Sequence, residues 1–144
     1  MALTIFAKPS FAESVKDPLP VRVQALLPAP IQSFQIHQTK LNSVENALGK
    51  ADLIENGVYY WAFQGMKYSL ALTFSKDVLD TLNFHYVEKN PTLKNFNGLV
   101  KKTELKAAYQ PNRPSEVGAM LFSKNGIKLE FDPRDMKLES VDIR

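Results

Sequence analysis

His85 stands a few residues from both Asp80 and Glu88, and a histidine beside a carboxylate is the minimum for acid–base catalysis. The rest of the chain does not build on it. His37 and His85 have no metal-ligand spacing, and Gly-x-Ser-x-Gly, a phosphate loop and Gly-x-Gly-x-x-Gly are all absent. Cysteine is absent as well, which excludes disulfides, thiolate metal centres and cysteine nucleophiles. Asp77, Asp80, Asp132, Asp135 and Glu139 lie near turns, where carboxylates serve as turn formers and edge charges. The residues therefore point away from an enzyme, a metal or a cofactor and toward binding. The side chains to do it are Tyr60, Lys67, Ser69, Thr73, Thr81, Asn83 and His85, provided that one face of the fold carries them together.

Strands would place them so. Val58–Phe63, Met66–Phe74 and Val78–Val87 are rich in aromatic and branched residues and are separated by Gln64-Gly65 and Ser75-Lys76-Asp77, the pattern of an antiparallel meander. If Gln64-Gly65 is a two-residue turn, Phe63 pairs with Met66, Trp61 with Tyr68 and Tyr59 with Leu70. The apolar residues then share one face with Leu72 and Phe74, and the candidate binding residues share the other. If the loop takes in Met66, Trp61 pairs with Ser69 and becomes exposed. The first register separates polar from apolar better and makes Trp61 a core residue rather than a binding hot spot.

The elements around this meander follow from caps and breakers. Thr39 is the expected N-cap of a short helix, with Asn42 as the rival; Leu41, Val44, Ala47 and Leu48 follow at helical spacing before Gly49 ends it. Upstream, Pro18, Pro20, Pro28 and Pro30 predict an extended arm over residues 13–38, with an edge strand at Val21–Leu27 and a short strand at Ile31–Ile36. Downstream, residues 89–102 read as a connector and Thr103–Tyr109 as a second helix closed by Pro111 and Pro114. Val117–Phe122, Ile127–Phe131 and Lys137–Ile143 make a second meander.

The expected fold is α+β: two tandem helix-then-meander units, residues 39–88 and 103–144, in one compact domain over 39–144, with short helices on one face of an antiparallel sheet. Val44 and Ala47-Leu48 answer to Leu105 and Ala108-Tyr109, and Leu70, Leu72 and Phe74 answer to Ile127, Leu129 and Phe131. Leu79 and Leu138 are each out of phase with the apolar pair that follows, as a bulge at the same place in both units would make them.

The chain's 144 residues, 44% of them hydrophobic, suit one domain, and its net charge of +3 is mild. Lys89, Lys94, Lys101, Lys102, Lys106 and Arg113 face only Glu104, with Phe96 and Tyr109 as rings that could stack on bases, but the stretch reads better as a solvated loop than as a nucleic-acid patch. No apolar run approaches the roughly 18 residues of a membrane span. Ala2–Ala7 is apolar, and Ser10-Phe11-Ala12 puts small residues where a signal peptidase reads. Residues 1–12 are thus expected to be the remnant of a signal peptide and the protein periplasmic or secreted; the alternative is an ordinary terminus on a cytoplasmic protein.

Thr39 to Ala51, followed by the Tyr59-Tyr60-Trp61 strand and Leu70-Ala-Leu72-Thr-Phe74, resembles the beta-lactamase inhibitory protein-like superfamily, which includes the SmpA/OmlA (BamE-like) lipoproteins of outer-membrane assembly. Two such units in tandem are similar to the inhibitor, whose sheet presents a concave face to a partner protein. The resemblance implies the fold, export and binding without catalysis. The chain departs from it in having neither a lipobox cysteine nor disulfide cysteines. The expected function is an exported non-enzymatic module, inhibitor-like or an envelope interaction factor, that binds another protein through its open sheet face. The alternative is a periplasmic small-ligand or lipid binder in which the arm from Pro18 to Pro30 folds over the sheet and Leu26-Leu27 closes an apolar pocket.

Overall fold

The computed structural model describes residues 18–63, 65–96, 98–108 and 118–144. The signal-peptide reading of residues 1–12, and Gln64, Tyr109, Pro111, Arg113, Pro114 and Val117, lie outside the described residues.

Where the sequence alternates apolar and polar residues the chain forms strands: β1 Leu53–Glu55, β2 Val58–Phe63, β3 Met66–Ser75, β4 Val78–His85, β5 Lys106–Ala108, β6 Ala119–Lys124, β7 Ile127–Phe131 and β8 Leu138–Ile143. They make one antiparallel sheet in the order β1-β2-β3-β4-β8-β7-β6-β5. Two four-stranded meanders thus meet edge to edge where β4 pairs with β8, Leu82 opposite Ile143 and Phe84 opposite Val141. Successive residues of a strand point to opposite faces. Trp61, Leu70, Leu72, Leu82 and Phe84 in one half and Phe122, Ile127, Leu129 and Val141 in the other are all buried on the same face, and they form one hydrophobic core.

Among the described residues two helices cover that face, and the first is a departure from expectation. Residues expected as an extended arm with an edge strand form α1, Leu19–Leu26. Pro18 is its N-cap and Pro20 sits in the first turn, where a missing N–H breaks no helical bond. Leu19 and Val23 recur at helical spacing and are buried, with Leu27 just beyond. The expected strand at Ile31–Ile36 is a 3-10 turn, Ile31–Ser33. α1 reaches across the seam to the second half: the Tyr86 hydroxyl, at the end of the first half, donates to the Leu26 carbonyl at 3.2 Å, the Arg22 guanidinium donates to the Asn95 carbonyl, and Leu19 borders a cleft with Leu99 and Ile127.

The second helix, α2, runs Leu41–Leu48 and buries Val44. Its N-cap is Lys40, not Thr39. The Thr39 hydroxyl is engaged elsewhere, accepting from the Gln35 N–H at 2.8 Å, and the first helical N–H, of Leu41, donates to the Asp77 carbonyl at 2.8 Å. Gly49 ends the helix at φ +84, a conformation that a side chain resists. Trp61 fixes the helix to the sheet by donating its indole N–H to the Gly49 carbonyl at 3.1 Å, and it is 3% exposed, in the core as the first register expects.

That register holds only at the turn. Phe63 pairs with Met66, but an irregularity then puts Trp61 opposite Leu70 and Tyr59 opposite Leu72, in place of Tyr68 and Leu70. The slip is two residues, an even number, so Tyr59 and Trp61 keep their face. The irregularity expected after Leu79 and Leu138 is present in both halves. Thr73 pairs with Thr81 but Phe74 with Leu79, leaving Asp80 extra; Glu130 pairs with Ser140 but Phe131 with Leu138, leaving Glu139 extra.

The expected helix at Thr103–Tyr109 does not form. Lys102–Glu104 is a 3-10 turn in which the Glu104 carboxylate accepts from the Lys101 N–H at 2.9 Å, and β5 follows directly. In the second half the segment whose backbone bonds correspond to those of α2 is a shorter 3-10 turn, Leu93–Phe96. The backbone bonds match. Leu79 N–H donates to Thr39 and Leu138 N–H to Pro91, both at 2.7 Å; Leu41 N–H donates to Asp77 at 2.8 Å and Leu93 N–H to Met136 at 3.0 Å. Val44 and Phe96, each three residues past those leucines, are both fully buried.

Candidate binding face

The face of the sheet away from the helices is built by the alternate residues of the same strands. Across one row it carries Leu53, Tyr60, Ala71, Asn83, Asp142 and Lys128, each paired with the next. In the neighbouring rows Val58 pairs with Thr73 and Thr73 with Thr81, and His85 pairs with Ser140 and Ser140 with Glu130. Five of the seven residues expected on this face fall in these rows. Tyr60, Thr73, Thr81 and Asn83 are half-buried and His85 is exposed. The hydroxyls of Thr73 and Thr81 are 2.6 Å apart, a cross-strand hydrogen bond that orients both.

The other two differ. Ser69 belongs to the irregular stretch of β3, is fully buried, and donates its hydroxyl to the Phe63 carbonyl at 3.3 Å. It fastens the bulge and is not available to a partner. Lys67 lies on β3 in the same stretch, between the Phe63–Met66 and Trp61–Leu70 pairs.

Sequence reasoning missed the second half of this face: Lys128, Glu130, Ser140 and Asp142. Only the β4–β8 pairing brings them beside Asn83 and His85, and pairing between distant strands leaves no local pattern. Asp142 is held by Arg144, whose guanidinium donates to it at 3.3 Å. The catalytic pair suggested by type does not assemble with Asp80. His85 and Asp80 sit at opposite ends of β4, roughly 16 Å of strand apart. Asp80 instead approaches the other histidine, His37, at 3.9 Å, with His37 largely exposed and Asp80 half-buried. Among the described residues no group of three His, Asp or Glu side chains is placed to hold a metal ion, and no helix is long and apolar enough to cross a membrane.

The edge of the sheet beside this face is partly closed. The Asp52 carboxylate accepts from the Ala62 N–H at 2.8 Å, and Asp52 N–H donates to Tyr60 at 2.8 Å, so a side chain finishes what three-residue β1 leaves unpaired. Ile54 at the centre of β1 is 58% exposed.

Fold and face together define an α+β protein with a broad antiparallel sheet, helices on one side and a polar, partly aromatic surface on the other. Among solved structures the chain is similar to a DUF4309 family protein, YjgB, from Bacillus subtilis, with a TM-score of 0.50 and 14% identity over 92% of this chain and 96% of that one. At that identity the likeness is one of fold. No protein-family model matches the sequence, and no curated protein matches it.

Proposed function

We propose that the protein is an exported, non-enzymatic module that binds another protein through its open sheet face. The observation behind this reading is the row of half-buried polar and aromatic side chains on the helix-free side of the sheet, Tyr60, Thr73, Thr81 and Asn83 with exposed His85. Such a surface offers hydroxyl, amide and ring contacts on rigid strands, which lose little entropy on binding. The same reading takes the chain as two copies of one unit, as in the beta-lactamase inhibitory protein-like superfamily. The matched bulges at Asp80 and Glu139 and the matched backbone bonds of Leu79 and Leu138 support it. In this alignment the second unit starts near Pro91, well before Thr103.

The test is recovery of a partner from envelope or culture fractions with a photo-crosslinker at Thr81. The expected outcome is one recurrent partner whose binding is weakened by about thirtyfold or more in the triple variant Tyr60→Ala, Lys67→Glu, His85→Ala, because a hot-spot side chain contributes about 2 kcal/mol or more. Recovery of the same partner, at wild-type affinity, by the triple variant would overturn the reading.

A further inference from the structure

The two halves each carry a recess at the same place, between the start of the helical segment and the turn that leads into β4 or β8. The first, of about 400 Å³, is lined by residues that include Lys40, Glu45, Lys76 and Asp77. The second, of about 390 Å³, is lined by Thr92, Leu93, Lys94, Lys102, Asp135 and Met136. Their charges differ. In the first, two lysines stand with two carboxylates, and Glu45 is in addition paired with Lys50 at 3.4 Å. In the second, two lysines stand with one carboxylate.

That carboxylate is already engaged, since Asp135 accepts from the Lys137 N–H at 3.0 Å. Glu104, the nearest acid along the chain, accepts from the Lys101 N–H. Lys94 and Lys102 form no ion pair with any described residue. Lys101 and Lys106, close to Lys102 in the chain, are also exposed, and these four lysines outnumber Asp135 and Glu104.

Met136 adds a second observation. It occupies the position that Asp77 holds in the first half, and both are in the left-handed region, at φ +58 and φ +64. Aspartate tolerates that conformation; methionine does so rarely, and strained residues concentrate where a site needs them. The strain sets a flexible, polarisable thioether beside Leu93 in the recess.

We infer that this second recess binds a small amphipathic carboxylate, its anionic head between Lys94 and Lys102 and its apolar body on Leu93 and Met136. The volume lies within the range of small-molecule sites. The first recess, neutral and with an acid where the methionine stands, does not bind it.

Titration of the 15N-labelled full chain with sodium octanoate, kept below its micelle concentration, tests this. Amide shifts are expected at Thr92, Leu93, Lys94, Lys102 and Met136, and none with octylammonium chloride. The K94E/K102E variant should bind at least about tenfold more weakly, the effect of removing two attractive charges and adding two repulsive ones. K40E/K76E should bind as wild type does. M136D, which suits the positive φ and so keeps the turn, should lose binding. Shifts confined to the open sheet face, equal binding of octylammonium, equal loss in K40E/K76E, or no shifts at all would each overturn the inference.

Discussion

The halves of the sheet share a plan and differ in what covers it. In the first half, α2 lies on its own meander, pinned by the Trp61 indole to Gly49 and by Leu41 to Asp77. In the second, the equivalent segment is only the four-residue turn Leu93–Phe96, and α1, from the other end of the chain, supplies cover. The open face differs in the same way. The first half presents a tyrosine, hydroxyls and an amide, whereas the second presents the charges of Lys128, Glu130 and Asp142. Strand pairing is therefore the part of the plan that both halves keep, and the helical layer is the part that they exchange.

The largest test of that equivalence is at the leucines before the bulges. Leu79→Ala and Leu138→Ala each delete a fully buried side chain and should each cost about 2–5 kcal/mol, nearly equally, in denaturant unfolding followed by Trp61 fluorescence. Because Trp61 is in the first half, a fluorescence transition that ignores Leu138→Ala would show that the halves unfold separately and break the comparison. A smaller effect separates two turns. Gly57 and Gly126 have φ of +80 and +79, so alanine at either should cost about 1–2 kcal/mol. At Gly126 the new Cβ would lie 2.8 Å from the Arg144 carbonyl, while at Gly57 it meets nothing, so Gly126→Ala should lower the melting temperature more.

The smallest effect is at the link between α1 and the seam. Tyr86→Phe loses the bond to the Leu26 carbonyl and should cost about 1 kcal/mol near neutral pH. Burial raises the Tyr86 phenol above its usual value of 10.0. The fold thus favours the protonated phenol, and that stability is complete below the usual value and lost as pH rises through the raised one. Above pH 10 the wild type should lose stability more steeply than Tyr86→Phe does, measured by chemical denaturation across the alkaline range.

Much of the sheet was legible because it depends on local alternation. Ile127–Phe131 forms within its expected bounds, and the out-of-phase Leu79 and Leu138 revealed both bulges. What was hidden depends on tertiary context. Pro18 and Pro20 read as breakers, although a proline at a helix start is harmless and Leu19, Val23 and Leu27 keep an apolar spacing that suits α1. Ala107 and Ala108 favour helix in isolation, yet pairing with Met120 and Ala119 makes them an edge strand. For the candidate face, side-chain alternation was enough to group Tyr60, Thr73, Thr81, Asn83 and His85. It could not reveal that Ser69 would be swallowed by a bulge, or that β8 would extend the surface.

The crossing of α1 to the far half also bears on how the chain is made. Arg22 and Asn95 are 73 residues apart, and β7 and β8, far downstream of α1, share the core with Val23 and Leu27. α1 leaves the ribosome well before β7 and β8, so it must wait for them before it can dock there. Contacts of such long range slow folding, so the two meanders cannot mature one after the other as independent halves would, and the arrival of β7 and β8 becomes the step that closes the core.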